Sequence, residues 1–428
     1  MDETDVVIVG AGASGLVAAV ELLSAGRSVR VVEANGRPGG RILTFQNGIE
    51  GGAEFVHGNL PLTQKYIRQS GLSLQPMGTA IFEKEKGKWQ KQYQFMSGWD
   101  ELMKKLAQLS ADMSLSDFLL QNFGDPKYDE LRASVQRYAE GYDLVDVKVA
   151  SVLALRQEWE KEEQIQYRIN GGYGAIIRFL ESQVHERKGV IEYGNSVCKI
   201  IRAQKRVSTF LENGACFFSE KVIVTVPPGV WLKGVEAKGY VVFEPAIPAY
   251  LQALNNIGFG PVIKWVFDFS DSFWSSKIGE TGFIFSNEKI PTWWTYPGFH
   301  KNRIAGWLGG PGALEYQNAS ENKLLNLAIE SLSGMFELST SDIRKREIHH
   351  EIVNWNAREF AYGGYSYATL GTSMARLFLL QPIEECIFFA GEALYQGPYS
   401  GMVEAALQNG KDVAQRVLRH NLDVHNQG

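Results

Sequence analysis

Near the amino terminus, three glycines, an acid and two arginines have types and spacings that suit phosphate and ribose. Gly10-Ala11-Gly12-Ala13-Ser14-Gly15 spaces its glycines so that each can do a different job. Gly10 permits a tight turn, Gly12 lets the backbone approach a pyrophosphate, and Gly15 lets a helix pack closely on a strand. Further on, Glu33-Ala34 presents a carboxylate able to accept hydrogen bonds from a ribose, and Gly36-Arg37-Pro38-Gly39-Gly40-Arg41 follows it. Bidentate arginine suits pyrophosphate, so Arg41 is a candidate second anchor; the alternative is a solvated arginine on a flexible glycine loop. Much later, Lys264 stands alone in the apolar run Val262-Ile263-Lys264-Trp265-Val266-Phe267. Such a lysine is either a solvated edge residue or a residue kept for a site.

The elements that must position these residues can be read around them. Val6–Val9 is a short apolar run of the length of a buried parallel strand. Leu16, Ala19, Val20, Leu22 and Leu23 repeat with helical period up to Ala25-Gly26, and Ser28–Val32 reads as a second strand ending at Glu33. The helix start would aim its amides and positive dipole end at the phosphates. A lone glycine triplet is weak evidence; strand, helix, second strand and terminal acid in register point to a dinucleotide. At the other end, Ile387-Phe388-Phe389-Ala390-Gly391-Glu392 reads as strand, glycine and acid, and Ser400-Gly401-Met402-Val403 opens a helix running to Leu418.

Between these ends the chain changes character. Residues 61–169 show helical periodicity at Leu62–Ile67, Trp99–Leu109, Leu115–Leu119 and Tyr128–Tyr138, with a possible hairpin from Phe82 to Tyr93 around Gly87. The acidic run Glu158–Glu163 could attract a polycation, but we expect a solvated helix face. Helix and strand alternate from Asn170 to Val226, with strands expected at Ala215–Phe218 and Lys221–Val226. Val241–Glu351 is rich in aromatic rings, most of them expected in a core and a minority along a pocket. Gly51-Gly52-Ala53-Glu54 would let bare backbone lie flat against a planar ligand.

Composition removes several classes of function. The chain has 428 residues, 45% hydrophobic and 21% charged, as in a globular protein of two domains or one discontinuous pair. A net charge of −5 offers no basic footprint for nucleic acid. Cys198, Cys216 and Cys386 have no metal spacing, so we expect no metal, and their odd number fits a reducing compartment. With the first strand so near the start and no long apolar stretch, we expect no signal peptide, no membrane span and a cytoplasmic protein.

The run VIVGAGASGLVAAVELLSAGRSVRVVEANGRPGGRI resembles the amino terminus of the flavin amine oxidase family, which includes monoamine, polyamine and amino-acid oxidases and histone demethylases. The resemblance continues through Trp355-Asn356, Ala361-Tyr362-Gly363-Gly364-Tyr365 and the final Gly391-Glu392 motif. It implies an α/β fold of two discontinuous domains: a Rossmann-like FAD domain from 1–76, 170–240 and 352–428, and a mixed sheet-and-helix substrate domain from 77–169 and 241–351. It implies FAD as cofactor, with Gly52, Ala53 and Glu54 beside the isoalloxazine ring and Val197 at the adenine end. Glu392 would lie against the ribityl–phosphate portion, and Met402 and Val403 against the pyrimidine edge. His57 matches a position that faces substrate in polyamine oxidases. Lys264 matches a lysine that holds a water near flavin N5 and favours reoxidation by dioxygen. Tyr365 stands where monoamine oxidases carry the cysteine bonded to flavin, so the cofactor should be held non-covalently. Ser366 and Met402 replace the two rings of the monoamine oxidase cage; Tyr365, Tyr367, Tyr395 and Tyr399 stand near enough in sequence to substitute.

The reaction implied is oxidation of an amine C–N bond by hydride transfer to flavin N5, with hydrogen peroxide formed from O2. Alternatives are a desaturase or porphyrinogen-type oxidase, an L-amino-acid oxidase using Arg156, Arg303 or Arg358 for the carboxylate, and a flavin-bound scaffold or sensor. The sequence leaves the oligomeric state open.

Overall fold

The computed structural model describes residues 3–425 except 79, 86, 93–97, 162–164, 204–205, 280–281 and 299, with side chains described up to residue 419. Tyr93 at the end of the expected hairpin, and Glu162 and Glu163 of the acidic run, fall outside the described residues.

The sequence of buried runs builds two large sheets. In the first, Glu3–Val9 lies between Cys216–Val224 and Val29–Val32, parallel to both, and Val190–Glu192 extends the parallel edge. Val6, Val7, Ile8 and Val9 are all buried, as expected of a strand covered on both faces. The helices Ala13–Ser24, Tyr173–Glu186 and Val403–His425 pack beside one another on this sheet. On the other side of Cys216–Val224, Ile387–Phe389 adds a parallel strand. Arg206–Leu211 and Val197–Ala203 continue the sheet antiparallel. The two strands expected at 215–226 are one, Cys216–Val224, because Ser219 pairs on both sides and Lys221 resumes the ladder past Glu220. Val242–Glu244, from the segment expected on the substrate side, pairs with Val197–Ala203 in this first sheet.

The second sheet runs in the order Glu347–Asn354, Val262–Phe269, Arg303–Gly309, Thr292–Thr295, Phe283–Ser286, Ile81–Glu85, Lys88–Gln92. The hairpin expected in the helical block is present, but its first strand adds to Phe283–Ser286 and so joins this sheet. Side chains alternate across a strand. Ile263, Trp265, Phe267 and Phe269 therefore face a core with the helix Glu321–Phe336, while Val262, Lys264 and Val266 face the opposite way. That alternation turns Lys264 inward, toward the rest of the molecule.

The helices Trp99–Ala107, Leu115–Phe123, Asp129–Tyr142 and Val152–Trp159 enclose their own core around Leu102, Phe118 and Val135. A three-stranded sheet, Val56–His57, Gln166–Ile169 and Leu74–Pro76, adjoins it. Among the described residues, no helix is long and apolar enough to cross a membrane.

Candidate cofactor and substrate site

One cavity of about 1150 Å³ is lined by residues from both large sheets and from the helical block. Its first arm is made of backbone. Gly10 adopts φ +107°, and a Cβ there would lie 2.4 Å from Thr225 Oγ1. A Cβ on Gly15 would lie 2.0 Å from the Gly10 carbonyl oxygen, so only glycine lets the helix Ala13–Ser24 start so close to its strand. Gly12 differs from both: a Cβ there would meet no protein atom within 4 Å and would project into open space beside the cavity. Ala13 and Ser14 line the same arm, no side chain caps the helix start, and Ser14 Oγ is buried without a hydrogen-bond partner. An unfilled notch at Gly12, uncapped amides and an orphaned hydroxyl together fit the pyrophosphate of a dinucleotide.

Glu33 is buried on this arm beside Ala34 and Val197. One carboxylate oxygen accepts from Ala11 N at 2.7 Å and the other from Asn35 N and Nδ2, leaving lone-pair capacity for a ribose hydroxyl. The two arginines of the glycine loop are largely spent on the protein. Arg37 donates to the carbonyls of Pro38, Gly40 and Ile42, which folds the loop around Gly39 and Gly40. Arg41 Nη1 donates to Gly364 O and, at 2.9 Å, to Glu392 Oε2, so its cationic charge is already paired. The expected free anchor is in fact half of an ion pair, although Arg41 still borders the cavity. Glu392 is also held by the protein on its other oxygen, which accepts from Ser366 N and Oγ.

Gly51 and Gly52 are glycine for a different reason than expected. A Cβ on Gly52 would lie 1.9 Å from Arg41 O, and one on Gly51 would strike Phe45 and Leu43. Protein on their far side forbids a side chain, whatever lies on the cavity side. Trp355 Nε1 donates to Gly51 O and holds this loop, and Arg358 lies over the Trp355 ring. Gly391, Met402 and Val403 also line the cavity, where the helix Val403–His425 begins.

The second arm is made of side chains. Lys264 is 1% exposed, and its Nζ donates to Glu54 Oε2 at 2.7 Å and to Gly52 O at 3.2 Å. Glu54 Oε1 accepts from Arg168 Nε at 2.8 Å and Trp294 Nε1 at 3.1 Å. Burial alone would raise the Glu54 carboxyl, but the Lys264 ammonium and Arg168 guanidinium hold it down at about 2. The solvated alternative for Lys264 is thereby excluded.

Rings enclose the rest. Phe55, His57, Tyr138, Tyr142, Phe283, Trp294, Trp307, Tyr365 and Tyr399 all line the cavity. His57 Nδ1 lies 3.2 Å from Tyr142 Oη, and burial lowers its pKa to about 4, so the imidazole is neutral near pH 7. Tyr365 Oη donates to the Tyr142 carbonyl, and its ring stacks on Trp307 at 6.5 Å. A hydroxyl so committed, and with a pKa raised well above the usual by burial, is no acid or base; Tyr365 contributes a wall. Ser366 does not line the cavity, because it turns onto Glu392, whereas Met402 does. Of the four tyrosines considered as substitutes, Tyr365 and Tyr399 line the cavity and Tyr367 and Tyr395 do not.

The acidic run holds a surprise. Glu158, expected on a solvated face, lines the cavity, where burial raises its carboxyl to about 7 against the Arg376 charge, while Glu160 is exposed as expected. Of the arginines considered for a substrate carboxylate, Arg156 donates to Leu106 and Leu109 carbonyls and Arg303 pairs bidentately with Asp268. Only Arg358 borders the cavity, close enough to Arg37 for their charges to repel. Tyr142, Trp307 and Arg168 were not singled out from sequence as site residues. Their one legible signal is indirect: two lone charges in apolar runs, Glu54 and Lys264, call for partners. Among the described residues no cluster of His, Cys, Asp and Glu could hold a metal ion.

Residues 13–418 match the family model described as flavin containing amine oxidoreductase. The curated relatives include lysine-specific histone demethylase 1 homolog 3 of Arabidopsis thaliana, 25% identical over 98% of this chain; the chain spans only 30% of that protein's length. Polyamine oxidase 2 of the same plant is 25% identical, over 96% of this chain and 88% of that protein. Among solved structures, putrescine oxidase bound to putrescine superposes with TM-score 0.81 at 18% identity, covering 98% of this chain and 99% of that one. Cyclohexylamine oxidase from Brevibacterium oxydans gives 0.79 at 19%, covering 98% and 99%. At such identities these structures show a shared fold.

Proposed function

The chain belongs to the flavin containing amine oxidoreductase family, and from that premise we propose that it oxidises the C–N bond of an amine with FAD as cofactor. The observation that carries the reading is the placement of Lys264. A lysine on an otherwise apolar strand is turned into the cavity that also runs past Gly12 and Glu33. When bound, FAD supplies the hydride acceptor and passes the electrons to dioxygen, giving hydrogen peroxide. The notch at Gly12, the helix-start amides and Ser14 Oγ would hold the pyrophosphate, Glu33 the ribose, and the Met402–Val403 helix start the far end. None of the three cysteines lines the cavity, which supports non-covalent retention.

The protein's part is to bind, orient and exclude water. An ammonium has no lone pair to assist loss of a hydride, so the substrate must react as the neutral amine. Walls of Phe55, Trp294, Trp307 and Tyr365 favour that form by withholding solvation from the charged one. His57, neutral at pH 7, adds no positive charge to the pocket. Lys264 Nζ, held against the cavity wall, would steady a water or dioxygen beside the cofactor. The resemblance to polyamine oxidases and to putrescine oxidase supports aliphatic amines as the substrate class.

Anaerobic mixing of the FAD-loaded protein with benzylamine, putrescine, spermine and several amino acids tests this. Bleaching of the flavin by amines, followed by peroxide release on admitting air, is the expected result. A yellow protein that no member of the panel bleaches would overturn it.

A further inference from the structure

At one wall of the cavity a single carboxylate is joined to two cations. Glu54 is shared by two cations, Lys264 at 2.7 Å and Arg168 at 2.8 Å, and its two oxygens are held on different sides of the group. Glu54 and Lys264 are 2% and 1% exposed. Other charged and titratable groups face it from each packed element. Glu50, on the same loop, is buried with a carboxyl raised to about 7 and feels the Lys264 charge. Tyr296, beyond the strand Thr292–Thr295, has its ring 4.1 Å from the Arg168 guanidinium. His57, on the adjoining strand, is neutral at pH 7.

The group stands where the two arms meet. Gly52, the carbonyl partner of Lys264, backs onto Arg41 and Trp355 of the first arm. Trp294, a partner of Glu54, belongs to the second, with its ring 5.3 Å from Lys264 Nζ. A lysine side chain has four rotatable bonds and a strongly hydrated head. Left to itself in an apolar wall, it would withdraw toward water. One carboxylate fixes where its ammonium sits.

We propose that Glu54 is the positioning residue of this site: it fixes Lys264 Nζ at the cavity wall and cancels one of the two cationic charges that the cofactor would otherwise feel. The assignment rests on the reading of the cavity as an FAD amine oxidase site, and it adds a residue whose charge, not contact, matters. Cations near a flavin stabilise the negative charge it gains on reduction. The fixed charges of Lys264, Arg168 and Glu54 leave one net positive charge; removing Glu54 leaves two, and removing Lys264 leaves none.

The test is the two-electron reduction potential of bound FAD in the wild-type protein, Glu54→Gln, Lys264→Met and the double variant, with reoxidation by air followed in each. Glu54→Gln is expected to shift the potential positive and Lys264→Met to shift it negative, while the double variant, which again has one unpaired cation, returns toward the wild-type value. A side chain that only packs would alter stability without producing this ordering. Should Glu54→Gln fail to fold, the comparison of Lys264→Met with the double variant carries the test, and the double variant must be the more positive. An unshifted potential on removing Glu54, in either background, overturns the Glu54 assignment. Lys264→Met reoxidised at the wild-type rate overturns instead the underlying role of Lys264, so the two failures are distinct.

Discussion

The two arms of the cavity are built by opposite means. The first is backbone: Gly10, Gly12, Gly15 and the start of one helix, all within a few residues, shape a notch through what they lack. The second is side chain: Lys264, Glu54, Tyr142 and Trp307, with Arg168 behind Glu54, come from five separated segments and are brought together only in the folded molecule. Gly10 and Gly15 tolerate no added atom and Gly12 none once a ligand is bound, whereas a wall of side chains tolerates change at a graded cost. Substitutions should therefore act as switches in the first arm and as dials in the second.

Gly15→Ala should have the largest effect. Its Cβ would sit 2.0 Å from the Gly10 carbonyl oxygen, and backbone cannot rotate away. Overpacking of this kind costs roughly 1–3 kcal/mol and more when rigid atoms clash. We expect little soluble protein, and a clear drop in thermal midpoint for what is recovered. Gly12→Ala is the control that sharpens the contrast. The new methyl meets no protein atom, so the apoprotein should keep its thermal midpoint. FAD affinity should nevertheless fall by about tenfold or more, roughly 1.4 kcal/mol, in a flavin titration. Equal damage from both would show that the first arm is merely a packed turn.

Glu50 comes next, because it ties the glycine loop to the helix Tyr173–Glu186. Its carboxylate accepts from Thr44 Oγ1 and Tyr173 N, and burial raises it from 4.5 to about 7. A raised folded pKa contributes stability that is full below the unfolded value and lost as pH rises through the folded one. The window is therefore about pH 4.5 to 7, with a ceiling of about 3 kcal/mol from the linkage relation. His57 works the other way, its lowered pKa removing stability as pH falls from 6.5 through 4. Glu50→Gln should remove only the first contribution. The variant's thermal midpoint should gain on wild type between pH 5 and pH 8, with no change in which amines it oxidises, since Glu50 does not line the cavity. A midpoint difference independent of pH would contradict the ionisation of this group.

The same contrast governs what the sequence discloses. The glycine arm is legible because its parts are contiguous and each glycine has a local job: Gly10 makes the tight turn, Gly15 lets helix and strand pack closely, and Gly12 leaves an unfilled notch. Gly51 and Gly52 carry a second constraint that the sequence does not disclose, because a bare backbone has two sides and Arg41 and Phe45 crowd the hidden one. Arg41 and Glu392 each resemble a ligand-binding residue, yet they neutralise one another across 351 positions of sequence. Glu158 turns inward where a solvated face is expected, because a charge run says nothing about which member of a helix faces the cavity. The hairpin is legible in the alternation around Gly87, but its sheet is not, since strand pairing between Ile81 and Phe283 leaves no local trace.

In the second arm, Lys264→Met should be survivable. Glu54 keeps Arg168 and Trp294 as partners, so the loss falls short of the roughly 3–5 kcal/mol for stranding a buried charge. The function should suffer more than the fold: reoxidation by dioxygen slows by about tenfold or more, roughly 1.4 kcal/mol of barrier, while anaerobic bleaching by amine changes less. If both half-reactions fell together, Lys264 would be part of general architecture and not of the oxygen step.

Tyr365→Phe should be the mildest change and the most discriminating. It removes one hydroxyl that donates to the Tyr142 carbonyl and keeps the ring that stacks on Trp307. Losing a neutral hydrogen bond of this kind costs on the order of 1 kcal/mol, felt as a slightly lower thermal midpoint because the Tyr142 carbonyl loses its donor. If Tyr365 is a wall, the anaerobic bleaching rate and its pH profile should stay within a factor of about two, under 0.5 kcal/mol. Tyr365→Ala should then raise the amine concentration needed for half-maximal rate, since it opens the arm beside Trp307 to water. If the phenylalanine variant instead lost its rate along with one limb of its pH profile, the hydroxyl would be moving a proton. One residue of the second arm would then behave as a switch, and the division between the two arms would fail there.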